Sequence, residues 1–162
     1  MTHLSRSSTF WLLNRAALVG ICLLLSGMSL AQTTKKSGGE EEPVFLDYRG
    51  VQIGWLADDV RKKLGVPADK GDEQDFYKFS DNETCQVLYD KATRKVTAIS
   101  IDFSNGANAV ITPQQVFGAD FETKADGTKY KLVRYPKAGY WVSYYRGSGN
   151  TPSITITMQK MQ

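Results

Sequence analysis

Apolar and polar residues alternate along several short segments of this chain, the pattern of β-strands that bury one face. Within residues 96–103, Ile99, Ile101 and Phe103 share one side, and Ile154, Ile156 and Met158 repeat the arrangement near the end of the chain. Gly, Pro, Asn or Asp bound each such segment. The pattern predicts six strands, at residues 75–79, 84–90, 96–103, 130–135, 140–145 and 153–158. One sheet face should be apolar and covered, and the other polar and open.

Two helices are predicted between these strands. The first runs from about Ala57 to Leu64, with Val60 and Leu64 on one face and residues 61–63 directed toward water. Gly65 and Pro67 should end it. The second helix begins with the capping box formed by residues 112–115 and meets Gly118 after about one turn. It should therefore be very short.

Apolar positions in the two halves of the chain align at a nearly constant offset. Val60 and Val116 are 56 positions apart, and the following pairs are 55 apart: Val87 with Val142, Ile99 with Ile154, and Ile101 with Ile156. This spacing predicts an α+β fold in which two tandem helix-plus-three-strand units, at about residues 49–103 and 107–158, share one antiparallel sheet with the helices on one face. Two separate domains of that length would be marginally stable, so residues 44–162 are expected to form one domain.

The first 31 residues have the features of a secretory signal peptide. Arg6 and Arg15 precede an apolar run of 15 residues, and Ser29-Leu30-Ala31 predicts cleavage after Ala31. The run is shorter than the roughly 20 residues of a membrane-spanning helix. We therefore expect a secreted or periplasmic protein that is not an integral membrane protein, whose residues 32–43 form a disordered linker because they lack large apolar side chains.

Charge and residue types narrow the possible functions. Cleavage after Ala31 would leave 18 basic and 17 acidic side chains, which gives no indication of nucleic-acid binding. The single histidine, His3, lies in the leader, so the domain lacks the residue on which most nucleophilic triads and zinc sites depend. We expect no enzymatic activity, no cofactor and no metal site. Cys85 alternates with Val87 and Tyr89, which favours a buried thiol over a nucleophile.

Two acidic segments suggest alternative functions, glycoside hydrolysis and calcium binding. Glycoside hydrolysis requires two carboxyl groups about 5 to 9.5 Å apart, but Asp72, Glu73 and Asp75 are expected to be solvated residues of a loop. The acids between Asp120 and Asp126 lack the spacing and the final bidentate Glu of a calcium loop. Both segments are therefore interpreted as polar connections.

The predicted open face offers the best candidate binding residues. If Tyr140, Val142 and Tyr144 face the core, Trp141 and Tyr145 point to the other side, and Arg146 follows next in the chain. Aromatic residues and arginine dominate binding hot spots, so Trp141, Tyr145 and Arg146 are predicted to contact a partner. The alternative is that this face is covered and that these residues are ordinary core. For Trp55, just before the first helix, packing is favoured over binding.

The segment GWLADDVRKKLGVP, followed by meandering strands and a degraded second copy, resembles the tandem helix-plus-sheet repeat of the outer-membrane-assembly small lipoproteins and beta-lactamase inhibitor protein. The resemblance covers Arg49 to about Met158 and implies a protein binder of the cell envelope or the extracellular space. Trp55-Leu56 replaces the usual Met followed by Ser or Thr. No cysteine is suitably placed for lipid attachment, which argues against a membrane-anchored assembly subunit.

The sequence thus predicts a secreted or periplasmic, non-enzymatic module that binds another envelope or extracellular protein through an open sheet face. Two alternatives remain at this stage. One is an envelope protein that binds a small molecule or glycan in a deep pocket. The other is a structural envelope-assembly component whose sheet edges pair with one another.

Overall fold

Seven strands form one antiparallel sheet in this computed structural model, which describes residues 42–104 and 111–162. Their spatial order is β1-β2-β3-β4-β7-β6-β5, so β4 pairs with β7 near the middle of the sheet. The strands are β1 (Asp69–Lys70), β2 (Gln74–Ser80), β3 (Glu83–Tyr89), β4 (Val96–Phe103), β5 (Lys129–Tyr135), β6 (Tyr140–Arg146) and β7 (Ile154–Lys160). The predicted signal peptide, the cleavage site after Ala31 and nearly all of the predicted linker lie outside the described residues.

Two short helices accompany the sheet. Helix α1 (Ala57–Leu64) has no side-chain cap at Leu56 and ends at Gly65. Helix α2 (Pro113–Phe117) begins with the predicted capping box, in which the Thr112 side chain accepts from the Gln115 N–H and the Gln115 side chain accepts from the Thr112 N–H. It ends at Gly118, whose φ of 72° is a left-handed conformation that glycine adopts without strain. Neither of these two described helices has the length and apolar character needed to span a membrane.

The predicted fold class of two helix-plus-three-strand units is wrong. The described part of the chain is mostly a single seven-stranded sheet, with 11% of the described residues in helices and 43% in strands. Four strands precede α2 and three follow it, and the two helices have eight and five residues. The constant offset between apolar positions misled the prediction because any two strands that alternate with period two can be superposed at several offsets.

The covered sheet face carries the core. The nine residues that alternation placed inward on β4, β6 and β7 are all buried, which confirms that part of the prediction: Ile99, Ile101, Phe103, Tyr140, Val142, Tyr144, Ile154, Ile156 and Met158. Val60 of α1 and Val116 of α2 belong to the same buried cluster, so both helices pack on this face. Trp55 packs partly buried against the cluster, in agreement with its expected packing role.

Candidate functional site

The opposite sheet face, called the open face below, carries the outward residues of the six long strands. Strand register arranges them in three rows that run across the sheet in the order β2, β3, β4, β7, β6, β5. The first row is Gln74, Leu88, Ala98, Gln159, Trp141 and Arg134; the second is Phe76, Gln86, Ser100, Thr157, Ser143 and Leu132; the third is Lys78, Thr84, Asp102, Thr155, Tyr145 and Tyr130. Hydroxyl-bearing side chains occupy much of the centre of this surface.

Four large side chains on β5 and β6 form an apolar patch at one side of the open face: Tyr130, Leu132, Trp141 and Tyr145. Tyr130 is directly opposite Tyr145 across the two strands, and Leu132 is opposite Ser143. Tyr130, Tyr145 and Leu132 are 48%, 42% and 39% exposed. None of the four belongs to the buried cluster or packs against it. Among the residues that the structure describes, this patch therefore serves no packing role.

The structure brings two of the three predicted site residues together and separates the third. Trp141 and Tyr145 are on the open face two positions apart on β6, where the parity of the buried Val142 places them. Arg146 is on the helix side of the sheet, where it lines a small cleft with Lys129, Tyr144 and Pro113. Successive residues of a strand point to opposite faces, so a residue next to Tyr145 in the chain cannot share its face.

Sequence reasoning missed the contribution of β5 to this surface. Tyr130, Leu132 and Arg134 alternate with Lys131 and Val133, and their outward parity follows once β5 is paired with β6 through the Tyr135–Tyr140 turn. The signal was present in the sequence, because the four residues between Tyr135 and Tyr140 fix the register of a hairpin. Arg134 is opposite Trp141 in that register, so an arginine does accompany the aromatic residues.

A buried ionic cluster on the covered face was also missed. Asp75 is fully buried on β2, and the Arg61 guanidinium donates to both carboxylate oxygens, with Nε–Oδ2 at 2.8 Å and Nη2–Oδ1 at 3.0 Å. Tyr89 Oη donates to Oδ2 at 2.8 Å, and the Gly71 N–H donates to Oδ1 at 3.3 Å. Every acceptor position of the carboxylate thus has a donor nearby, which is what burial of a charge requires.

The same contacts control the protonation of the cluster. Burial by itself raises the pKa of Asp75, but the hydrogen bonds from Arg61 and Tyr89 more than offset it, so the pKa is below its usual value. Burial and the adjacent carboxylate raise the pKa of Tyr89, and chiefly burial raises the pKa of Tyr77 to about 12. Asp75 therefore stays ionised and the tyrosines stay neutral near pH 7. The cluster is a saturated structural unit with no proton available for catalysis.

Two predictions about these residues are therefore wrong. Asp75 was expected to be solvated at the junction of a loop and the first strand, whereas its side chain points inward and is fully buried. Arg61 was expected to point toward water, yet its side chain is only 17% exposed and reaches the sheet. The helical spacing of Val60 and Leu64 identified the apolar face correctly, but an arginine at the edge of that face can extend its long side chain across it.

A second arginine pair lies near the start of the described chain. The Arg49 Nη2 is 2.6 Å from Glu83 Oε1, and the guanidinium is above the Phe79 ring with Cζ at 4.1 Å from its centroid. Tyr48 Oη donates to the same carboxylate oxygen. Burial and this hydrogen bond raise the pKa of Tyr48. These contacts attach residues 48–49 to the sheet through β3.

Cys85 lies inside the sheet and is fully buried, as predicted. Burial, with a smaller effect from the Asp102 charge, raises the pKa of its thiol to about 12. A thiol with that pKa is almost entirely protonated near neutral pH and does not act as a nucleophile. Within the part of the chain that the structure describes, no group of three or more His, Cys, Asp or Glu residues is placed to hold a metal ion.

One sizeable cleft does not resemble a glycosidase site. A cleft of about 660 Å³ is located at one end of the sheet and is lined by residues that include Tyr89, Asp90, Lys91 and Lys160. Asp90 is its one lining acid, and its carboxylate already accepts from the Thr93 N–H at 2.7 Å and the Thr93 hydroxyl at 2.8 Å. Two opposed carboxyl groups are needed for glycoside hydrolysis, and this cleft supplies a single, engaged one.

Comparison of the chain with protein-family models, with curated proteins and with solved structures gives no match. The resemblance to the small outer-membrane lipoproteins and beta-lactamase inhibitor protein therefore stays a prediction.

Proposed function

We propose that this chain is a non-enzymatic binding module that recognises another protein through its open face. The observation that carries the proposal is the apolar patch of Tyr130, Leu132, Trp141 and Tyr145, which is displayed on a polar sheet surface and is not part of the core. A surface aromatic group of this kind supplies large contact area at a small cost in side-chain entropy.

The shape and composition of the open face support a protein as the ligand. Three rows on six strands give a broad surface, and protein interfaces of standard size require about 800 Å² from each partner. The hydroxyl groups of Ser100, Ser143, Thr155 and Thr157 surround the patch on one side, which matches the usual arrangement of an apolar centre with a polar rim.

The proposed location is secreted or periplasmic. Its support is the leader-like composition of residues 1–31. The remaining chain has a single cysteine and therefore forms no intramolecular disulfide. A domain without a disulfide must be stabilised by packing, and the buried cluster of 21 residues provides that packing.

Site-specific photo-crosslinking tests the proposal directly. A photoreactive phenylalanine analogue is introduced at Tyr145, in the apolar patch, or at Val66, which is 95% exposed in the segment that follows α1. Each protein is then irradiated in an envelope extract of the source organism. We expect a discrete protein adduct from position 145 and none from position 66. Equal labelling at the two positions, or no adduct at position 145, would refute binding through this face.

Alanine replacement measures how much the apolar patch contributes to the free energy of partner binding. The double variant Trp141→Ala/Tyr145→Ala should weaken binding of the crosslinked partner by about 900-fold where the two contributions add, because a hot-spot aromatic residue contributes about 2 kcal/mol, or about 30-fold. Its thermal midpoint should change little, since neither side chain contacts the core cluster. The matched variant Val66→Ala should alter neither property. A double variant that unfolds easily would show that the two side chains are packed after all.

A further inference from the structure

Asp102 introduces a negative charge into the third row of the open face. It lies on β4, and its side chain is partly buried between Thr84 of β3 and Thr155 of β7. The Thr155 hydroxyl donates to Asp102 Oδ1 at 2.6 Å. No lysine or arginine among the described residues forms an ion pair with it. A partly desolvated carboxylate with one hydroxyl donor has unused acceptor capacity.

The carboxylates on β2 and β3 are paired with arginines, unlike Asp102. Asp75 on β2 and Glu83 on β3 each have an arginine in direct contact, Arg61 and Arg49 respectively. Both pairs are on the covered face. The chain thus neutralises its carboxylates where the sheet is packed and leaves Asp102 without a counter-charge where the sheet is open. A charge that is partly removed from water and unpaired costs stability unless a bound group compensates it.

The neighbours of Asp102 indicate which group fits. Along the third row, Asp102 is followed by Thr155 and then by Tyr145, so the backbone positions of Asp102 and Tyr145 are two strand spacings apart, about 10 Å. A planar guanidinium placed above Thr155 can donate two hydrogen bonds to the carboxylate and lie against the Tyr145 ring. Arginine is the side chain that combines these two contacts best.

We propose that Asp102 is the specificity-determining residue of the open face and that it accepts an arginine side chain of the bound protein, with Tyr145 contacting the same guanidinium. This inference rests on the proposed function and deepens it, because it names the chemistry of the partner at one position. Arg134, in the first row, also has no acidic neighbour among the described ion pairs, so the partner should present an acid there. The face then distinguishes partners by the placement of two opposite charges.

The test uses a small probe, so it does not require the partner. N-acetyl-arginine amide is titrated into the isotopically labelled protein, and the amide signals of Thr84, Thr155 and Tyr145 are followed by NMR. N-acetyl-citrulline amide, which has nearly the same shape and no charge, is the matched probe. We expect saturable shifts at these three residues with the arginine probe and an association constant at least tenfold lower with the citrulline probe.

Two protein variants complete the test. Asp102→Asn keeps an oxygen that accepts from Thr155 but removes the charge, so it should reduce arginine-probe binding by at least tenfold. Its thermal midpoint should be unchanged or higher, because the unpaired charge is gone. Asp81→Asn removes an exposed carboxylate that pairs with Lys78 at 2.8 Å, and it should bind the probe as the unmodified protein does. Equal binding of both probes, an unaffected Asp102→Asn variant, or equal losses in the two variants would each overturn the proposal.

The outcomes separate this proposal from the proposed function. Arginine-specific shifts at Thr155, combined with no crosslink from position 145 in extract, would keep the Asp102 site and reject the protein-binding face. A crosslinked partner whose affinity is unchanged by Asp102→Asn would keep the face and reject the arginine contact.

Discussion

Replacing Arg61 with alanine should destabilise the fold strongly. It should also reverse the sign of the contribution that Asp75 makes to the pH dependence of stability. Arg61 provides both of the side-chain ion-pair contacts that compensate Asp75, whose side chain is inaccessible to solvent. Removal of the guanidinium leaves a buried carboxylate with the Tyr89 hydroxyl and the Gly71 N–H as its main donors. The variant thus retains the desolvation cost of the charge and loses its compensation.

The expected magnitude follows from the burial of the pair. Breaking a buried ion pair by removing one partner costs about 3 to 5 kcal/mol, out of a total stability of roughly 5 to 15 kcal/mol for a domain of this size. With a urea m-value of about 2 kcal/mol/M, the unfolding midpoint should fall by about 2 M. The neighbouring variant Lys62→Ala is the control, because that side chain is 78% exposed and its pair with Asp59 should contribute less than about 1 kcal/mol.

The sign of the pH effect can be worked out from the pKa of Asp75. In the unmodified protein this pKa is lowered in the folded state, so the group contributes stability above its unfolded pKa of about 3.9, and that contribution is lost as the pH falls through the folded value. In Arg61→Ala, burial dominates and raises the folded pKa above the unfolded one. The contribution of Asp75 then becomes more favourable as the pH falls from 7 toward 4.5.

The assay is urea unfolding of the unmodified protein, Arg61→Ala and Lys62→Ala at pH 7, 6, 5 and 4.5. The difference in free energy of unfolding between the unmodified protein and Arg61→Ala should be largest at pH 7 and should shrink at lower pH. The pH dependence of this difference reports on Asp75, because the other carboxylates contribute nearly equally to the two proteins. The difference for Lys62→Ala should stay small throughout. A loss below about 1 kcal/mol for Arg61→Ala, or a difference that is constant with pH, would refute the account of Asp75.

Two further predictions concern local features. Cys85 is buried and its pKa is raised to about 12, so iodoacetamide should label it at pH 8 only after urea unfolds the protein; rapid labelling of the folded protein, measured by mass spectrometry, would contradict the buried placement. Thr112→Ala removes the N-cap acceptor of α2 and should lower the free energy of unfolding by about 0.5 to 2 kcal/mol. Thr112→Ser keeps a hydroxyl acceptor and should retain most of that stabilisation.

Local structure was largely predictable because it depends on short-range rules. Residues 57–64 form a helix as predicted, and the capping box at residues 112–115 starts a single turn. The strand at residues 96–103 has the predicted bounds, and the other predicted strands differ from the observed ones by one or two residues at their ends. Alternation also fixed which face of β6 is buried, and therefore placed Trp141 and Tyr145 on the open face.

The misses arise where distant residues decide the outcome. Strand β1 has two residues and depends on pairing with β2, and a segment that short has no hydrophobic period. The burial of Asp75 was not predicted because a charged residue in a polar segment is normally exposed. Its arginine partner is 14 positions away on a helix. The prediction of two helix-plus-three-strand units failed for a similar reason. Matching apolar positions shows which face of a strand is buried, but it does not show which elements pair.

The separation between the two sheet faces gives the binding proposal its physical basis. On β6 the buried cluster includes Tyr140, Val142 and Tyr144, whereas the apolar patch includes Trp141 and Tyr145, which have the opposite parity. Truncation of the patch residues should therefore leave the packing of the core nearly unaffected. Tyr130, Leu132 and Tyr145 are exposed and Trp141 is half-buried, and none of the four packs against the buried cluster. A solvent-facing surface gains nothing from large apolar side chains grouped in this way. Contact with another molecule explains their grouping, and the unpaired charge of Asp102 beside them gives that contact a preferred partner.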